Sequence, residues 1–279
     1  MPDDKMPDDK VPDDKVPDDR KAQQAAWFLY EGARTRRPFE PIPQPVAPRT
    51  TEEAYAIQEA FHALIGGERG PISGYKIALS NPAMQQRAGL DEPVAGAIFA
   101  GEIYQSPTVL NWTEYSHFGI ECEVAVLLKG GLPSEKAPHD RASVAEAVGA
   151  LMTAFELVDD RNADHAKMSF LDAVGANVWN AGIVLGPQVA DWRGVDLVNA
   201  RGEMVVNGRL VGEGRCGDAV GHPLEAVAWL ANKLAERGKS LSAGMVVITG
   251  SIATLKFLEQ GDEASVRIGG LGEASLTVS

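Results

Sequence analysis

IECEVAVLL, residues 120–128, alternates as an extended strand must. Ile120, Cys122, Val124, Val126 and Leu128 make one face, which belongs in a core; Glu121 and Glu123 fall on the other, followed by Ala125 and Leu127. Positions i and i+2 of a strand lie roughly 6.5–7 Å apart at Cα, so two carboxylates on one face can converge on a single cation. An ExE strand taken alone most often describes a solvated face. The apolar continuation through Ala125 and Leu127 argues against that, because like charges held beside apolar neighbours must be compensated by a cation or by protonation. A third acid stands in AFELVDD, where Glu156 lies amid apolar residues. The run from Val144 to about Glu156, with its Ala, Val, Leu and Met face, is predicted as a helix that carries Glu156 near its end. Carboxylates alone suit a hard ion, Mg²⁺ or Mn²⁺, rather than zinc, and three of them leave octahedral positions for substrate and water.

Outward from this strand the pattern is mixed. A short helix is predicted from about Lys21 to Gly32, then a connector holding Pro38, Pro41, Pro43, Pro45 and Pro48. Thr50 with Glu53 three residues on reads as a capping box for a helix that stops at Gly66-Gly67. Gly74–Leu79, Gly182–Leu185 and Met245–Thr249 read as strands, and Pro223–Glu236 as a helix stopped by Gly238. Asn207-Gly208 between β-branched arms is a hairpin signal, and the last twenty residues read as a second hairpin. Hairpins outnumber strand–helix–strand units. The expected fold is therefore α/β, a mixed and largely antiparallel β-sandwich or roll with flanking helices. Residues 1–20 are expected to be a low-complexity disordered tail, 21–72 an N-terminal helical segment with its Pro-rich connector, and 73–279 the catalytic domain.

The chain has 279 residues and a formal net charge of −13, which disfavours a nucleic-acid partner. No apolar run approaches the ~20 residues of a membrane span, and no apolar signal stretch opens the sequence, so neither membrane association nor secretion is expected. Two cysteines, Cys122 and Cys216, are too few for a disulfide framework, which points to the cytoplasm. Residues 1–20 are four copies of a five-residue unit, MPDDK, MPDDK, VPDDK and VPDDR, too polar to cover the entropy of folding. Gly212-Glu213-Gly214-Arg215-Cys216-Gly217 matches GxGxxG, but it follows the second arm of a tight hairpin and no acidic ribose anchor follows it. A dinucleotide site is not expected there.

From about Thr51 onward the sequence resembles the hydratase/decarboxylase branch of the fumarylacetoacetate hydrolase superfamily. Seven collinear blocks carry the likeness: GYKIALSNP at 74–82, GAIFA at 96–100, IECEVAVLL at 120–128, AFELVDDR at 154–161, NAGIVLG at 180–186, GEGRCGDAVGHPLEAVAWLANKLAERG at 212–238 and MVVITGSI at 245–252. The resemblance implies that Glu121, Glu123 and Glu156 bind Mg²⁺ or Mn²⁺ and that Lys76 is the active-site lysine. It implies that Leu79, Ser80, Asn177 and Ser251 border the substrate, a small 2-keto acid. The implied reaction is hydration of a 2-hydroxydienoate from aromatic ring cleavage, with decarboxylation or acylpyruvate-type hydrolysis as alternatives on the same scaffold. A homo-oligomer is implied too, with a decarboxylase as a possible partner; a weakly active partner subunit is the reading from another class. Relatives in this branch commonly carry an acid just after the GxxFA block, where this chain has Gly101 and then Glu102. Glu102 is the candidate to replace it in proton transfer. In an extended segment, however, it would face away from position 101.

Overall fold

The computed structural model describes residues 18–279. Helix α1 (Asp18–Arg34) starts inside the segment expected to be a tail, the rest of which lies outside the described residues. After the proline-rich connector comes α2 (Thr51–Arg69), capped as expected by the Thr50 side chain on the Glu53 N–H. This helix does not stop at Gly66-Gly67. It runs on to Arg69 and ends at Gly70 (φ 84°), whose N–H closes onto the Gly66 carbonyl. Then follow β1 (Ile72–Ala78), α3 (Pro82–Ala88), β2 (Val94–Phe99), β3 (Ile103–Gln105), β4 (Thr108–Leu110) and β5 (Phe118–Leu128). The middle of the chain gives α4 (Arg141–Ala147), β6 (Val148–Asp159), α5 (Phe170–Gly175), β7 (Asn180–Leu185), β8 (Arg201–Val206) and β9 (Arg209–Arg215). The remainder is α6 (Pro223–Ala235), β10 (Val246–Ile248), β11 (Lys256–Phe257), β12 (Glu263–Ile268) and β13 (Gly272–Val278).

The helix predicted over 144–156 is overturned. Asp140 caps a short α4, and from Val148 the chain extends into β6, paired antiparallel with β5 along nearly its whole length. Its side chains are buried on both faces, so there is no polar alternation to betray a strand, and Ala, Leu and Met imitate a helix.

One sheet has the order β2-β1-β10-β5-β6-β7-β3, with β11 adding to the end of β5; the second has the order β4-β13-β12-β8-β9. Antiparallel pairs dominate, and β1–β10, β3–β7 and β4–β13 are parallel. The larger sheet rolls up. Asn177, just before β7, hydrogen-bonds both the carbonyl and the N–H of Ala97 in β2, drawing distant strands together. Inside the roll Ile98, Ala125, Met152, Ala154, Ile183 and Ile248 form one apolar cluster. Its outer face, made by Ile120, Cys122 and Val124 (the core face expected of β5) and Phe155 of β6, packs in one cluster with α6 and with the second sheet around Val266. The β8–β9 hairpin turns at Asn207 (φ 50°) and Gly208 (φ 75°), as its sequence predicts. No helix among the described residues is long and apolar enough to cross a membrane.

Candidate active site

Glu121 and Glu156 are direct partners in the β5–β6 ladder, and Glu123 follows two residues along on the same face. One carboxylate oxygen from each lies within 4.8 Å of the others. Glu156 thus reaches the pair from a neighbouring strand and not from a helix end. Lys76 enters from β1 with Nζ 2.8 Å from Glu156 Oε1, and both side chains are buried. Asn180 Nδ2 donates to the same oxygen at 3.1 Å, and the Gly250 N–H donates to Glu123 Oε2 at 2.7 Å. The other oxygens, Glu123 Oε1 and Glu156 Oε2, are buried without a hydrogen-bond partner.

Three acids and one lysine are an unbalanced set. Burial, with the charge of Glu156 added, pushes the Glu121 carboxyl up to about 7, against the pull of Lys76. Burial and the neighbouring acids hold Glu123 well above the usual carboxylate range. For Lys76 burial acts downward, but it is outweighed by Glu156 and Glu121, which keep the ammonium above its ordinary value. Two orphaned oxygens and surplus negative charge are what a hard divalent cation satisfies, so the donor set fits such an ion.

Ser251 adjoins this cluster, its hydroxyl beside Glu121 while also donating to the Ala253 carbonyl at 2.5 Å. Ser80 is buried where the chain leaves β1, its carbonyl accepting from the Val220 N–H at 2.8 Å. Leu79 points elsewhere: with φ 54° it packs among Ala54, Tyr55, Val94, Val174 and Val178. Asn177 is fully engaged as a clasp, its Oδ1 meeting His62 Nε2 at 2.8 Å as well as the Ala97 N–H. It opens a run of three left-handed residues, Asn177, Val178 and Trp179, at φ 60°, 50° and 55°. Each costs on the order of 1–3 kcal/mol, and the clasp offsets that strain while launching Asn180 toward Glu156.

A cavity of about 350 Å³ opens beside this turn, lined in part by Arg69, Glu102, Tyr104, Asn177 and Asn180. Asn180 therefore stands between the cavity and the three acids. Residues 100–102 are not extended but form a single 3-10 turn, which brings Glu102 to the cavity wall. Asn180 and Arg69 were not foreseen as site residues. The signal for Asn180 was an amide at the first position of an otherwise apolar strand; Arg69 gave none.

The family model for the fumarylacetoacetate hydrolase C-terminal domain matches residues 96–279. The chain belongs to the fumarylacetoacetate hydrolase family. It is 33% identical over 226 residues to a 2-keto-4-pentenoate hydratase from Burkholderia vietnamiensis, covering 80% of this chain and 84% of that one. It is 31% identical over 228 residues to a 4-oxalocrotonate decarboxylase from Pseudomonas putida, covering 81% and 84%. Among solved structures, 4-oxalocrotonate decarboxylase from Pseudomonas putida G7, complexed with magnesium and adipate, superposes with a TM-score of 0.86 at 25% identity over 93% of this chain and 98% of that one. The mixed, rolled α/β architecture of this member of the fumarylacetoacetate hydrolase family is thus that of its relatives.

Proposed function

We propose that this protein is a divalent-metal-dependent lyase acting on a small 2-keto acid, hydrating a dienol acid of the 2-hydroxypenta-2,4-dienoate type in aromatic catabolism. One observation carries the reading: Glu121, Glu123 and Glu156 converge within 4.8 Å beside a single buried lysine, with two carboxylate oxygens left unpartnered. These three residues would hold Mg²⁺ or Mn²⁺. When bound, the ion supplies the Lewis acidity that favours the enolate form of a keto acid. Lys76 and Asn180 hold Glu156 Oε1, which leaves Oε2 free to serve such an ion. Lys76 also places a fixed positive charge where the substrate gains negative charge. Glu102, with its Oε2 unpartnered at the cavity wall, is assigned the proton transfer that ketonises the dienol before water adds to the conjugated double bond. Ser251 borders the acids and Asn177 shapes the cavity wall, while Ser80 and Leu79 act on the site only through the packing behind it. Two buried free cysteines suit a cytoplasmic enzyme.

The likeness to the decarboxylase, in sequence and structure, supports a second reading in which the same electron sink serves loss of CO₂. A panel of 2-hydroxydienoic and 2-keto acids, assayed with mass detection with Mg²⁺ or Mn²⁺ and again with EDTA, tests both. Metal-dependent gain of water supports the hydratase, metal-dependent loss of CO₂ the decarboxylase. Turnover that EDTA leaves intact, or none across the panel, overturns the assignment.

A further inference from the structure

Glu102 sits in a turn gripped from two sides. The Ala100 N–H bonds the Pro71 carbonyl at 2.9 Å, tying the turn to the α2–β1 junction. At Gly101 an added Cβ would lie 2.9 Å from the Arg69 carbonyl oxygen, so no side chain fits there. On the other flank Gly182 (φ 122°) lets β7 approach, and a Cβ on it would stand 2.6 Å from the Glu102 carbonyl. The backbone thus excludes an acid from position 101 and turns the next residue toward the cavity. There Arg69, at the end of α2, places Nη1 2.6 Å from Glu102 Oε1, while Oε2 stays buried and unpartnered. The contact is one-armed: it anchors one oxygen and leaves the other for a substrate proton.

We infer that Arg69 is the positioning residue for Glu102, steering the carboxylate into the cavity and setting the pH range over which it exchanges a proton. The role rests on the reading of Glu102 as the proton-transfer group. Burial holds Glu102 above the usual carboxylate range and Arg69 opposes it, so loss of the guanidinium moves its titration further upward. The charged and titratable groups around the cavity include Arg69 and Glu68 from α2, Tyr104 from β3, and Glu114 and Tyr115 before β5. Tyr30, Arg34 and Arg36 come from α1 and the turn after it, and Asp159 and Arg161 from the end of β6. Among these, the ion pair to Glu102 is made by Arg69. Its extension past Gly66-Gly67 is what lets α2 deliver this side chain.

The experiment uses the full chain with saturating Mg²⁺ and compares wild type, R69M, R69K, E102Q and the double variant E102Q/R69M. The Glu102 carboxyl, identified as the ¹³C-Glu signal that E102Q lacks, titrates about one pH unit or more higher in R69M and between the two in R69K. In parallel, E102Q lowers kcat on 2-hydroxypenta-2,4-dienoate by roughly 10²–10⁴-fold. R69M lowers kcat, shifts the Glu102 limb of the pH profile the same way and leaves KM within about twofold, while E102Q/R69M falls no further than E102Q. A Glu102 titration that stays put in both Arg69 variants overturns the inference, as do losses that multiply in the double variant. If wild type turns over nothing in the panel, the proposed function fails while the titration still decides what Arg69 does.

Discussion

Two antiparallel strand pairs in this molecule set glutamate against glutamate. In the second sheet Glu203 of β8 faces Glu213 of β9; in the roll Glu121 of β5 faces Glu156 of β6. The outer pair is solvated, nearly half exposed, and Arg201 bridges it, with its Nε 3.6 Å from Glu203. The inner pair has Glu123 beside it, one buried lysine, and oxygens with no partner at all. The pairing pattern is shared; the surroundings are not. Water and a mobile guanidinium dissipate the repulsion outside, whereas inside it persists and leaves a donor set that fits a cation.

The largest effect that would break the comparison concerns the lysine. K76M removes the buried counter-charge and is expected to destabilise the metal-free protein by about 3–5 kcal/mol in urea unfolding and to abolish turnover. A variant as stable as wild type would show that the inner acids are no more costly than the outer ones. Next in size is the metal itself. Mg²⁺ at a hundredfold excess over its Kd should stabilise the fold by about 2.7 kcal/mol, read as a rise in Tm that EDTA reverses. E123Q should lose that rise while melting above wild type when both are metal-free, since one repelling charge is gone. E213Q should keep the full rise.

Acid sharpens the contrast with a neutral group. Burial lowers the pKa of His62, bonded to the Asn177 clasp, from an ordinary 6.5 to about 4. The unfolded chain therefore binds this proton first, so stability is whole above pH 6.5 and drains away as the pH falls toward 4. The loss amounts to about 3 kcal/mol, and it should flatten in H62Q when unfolding is followed at pH 7 and 4.5. The smallest effect belongs to the outer sheet: R201M should leave the melting midpoint where it is.

The chemistry of the site was more legible than its scaffold. β5 could be read because its two glutamates interrupt an apolar face, and the Asn207-Gly208 hairpin because left-handed turns demand those residues. β6 could not, since burial on both sides erased the period-two signal, and the right acid was placed on the wrong kind of element. The three acids nevertheless meet, because their chemistry needs a shared compensating charge whichever backbone presents them. Glu102 was assigned from a block pattern, but its direction follows from the Arg69 carbonyl and from Gly182, distant in sequence. Asn177 similarly shows its grip on β2 only after the roll closes.

The continuous β5–β6 ladder has a further consequence. Side chains on a strand change sides at every residue, so sliding β6 by one position would carry Glu156 out of the roll and bring an apolar neighbour in. Spacing of the acids is consequently locked to the register of the sheet core, whereas the cavity wall is assembled from turns and helix ends. That wall can therefore change shape residue by residue while the spacing of the three acids stays fixed.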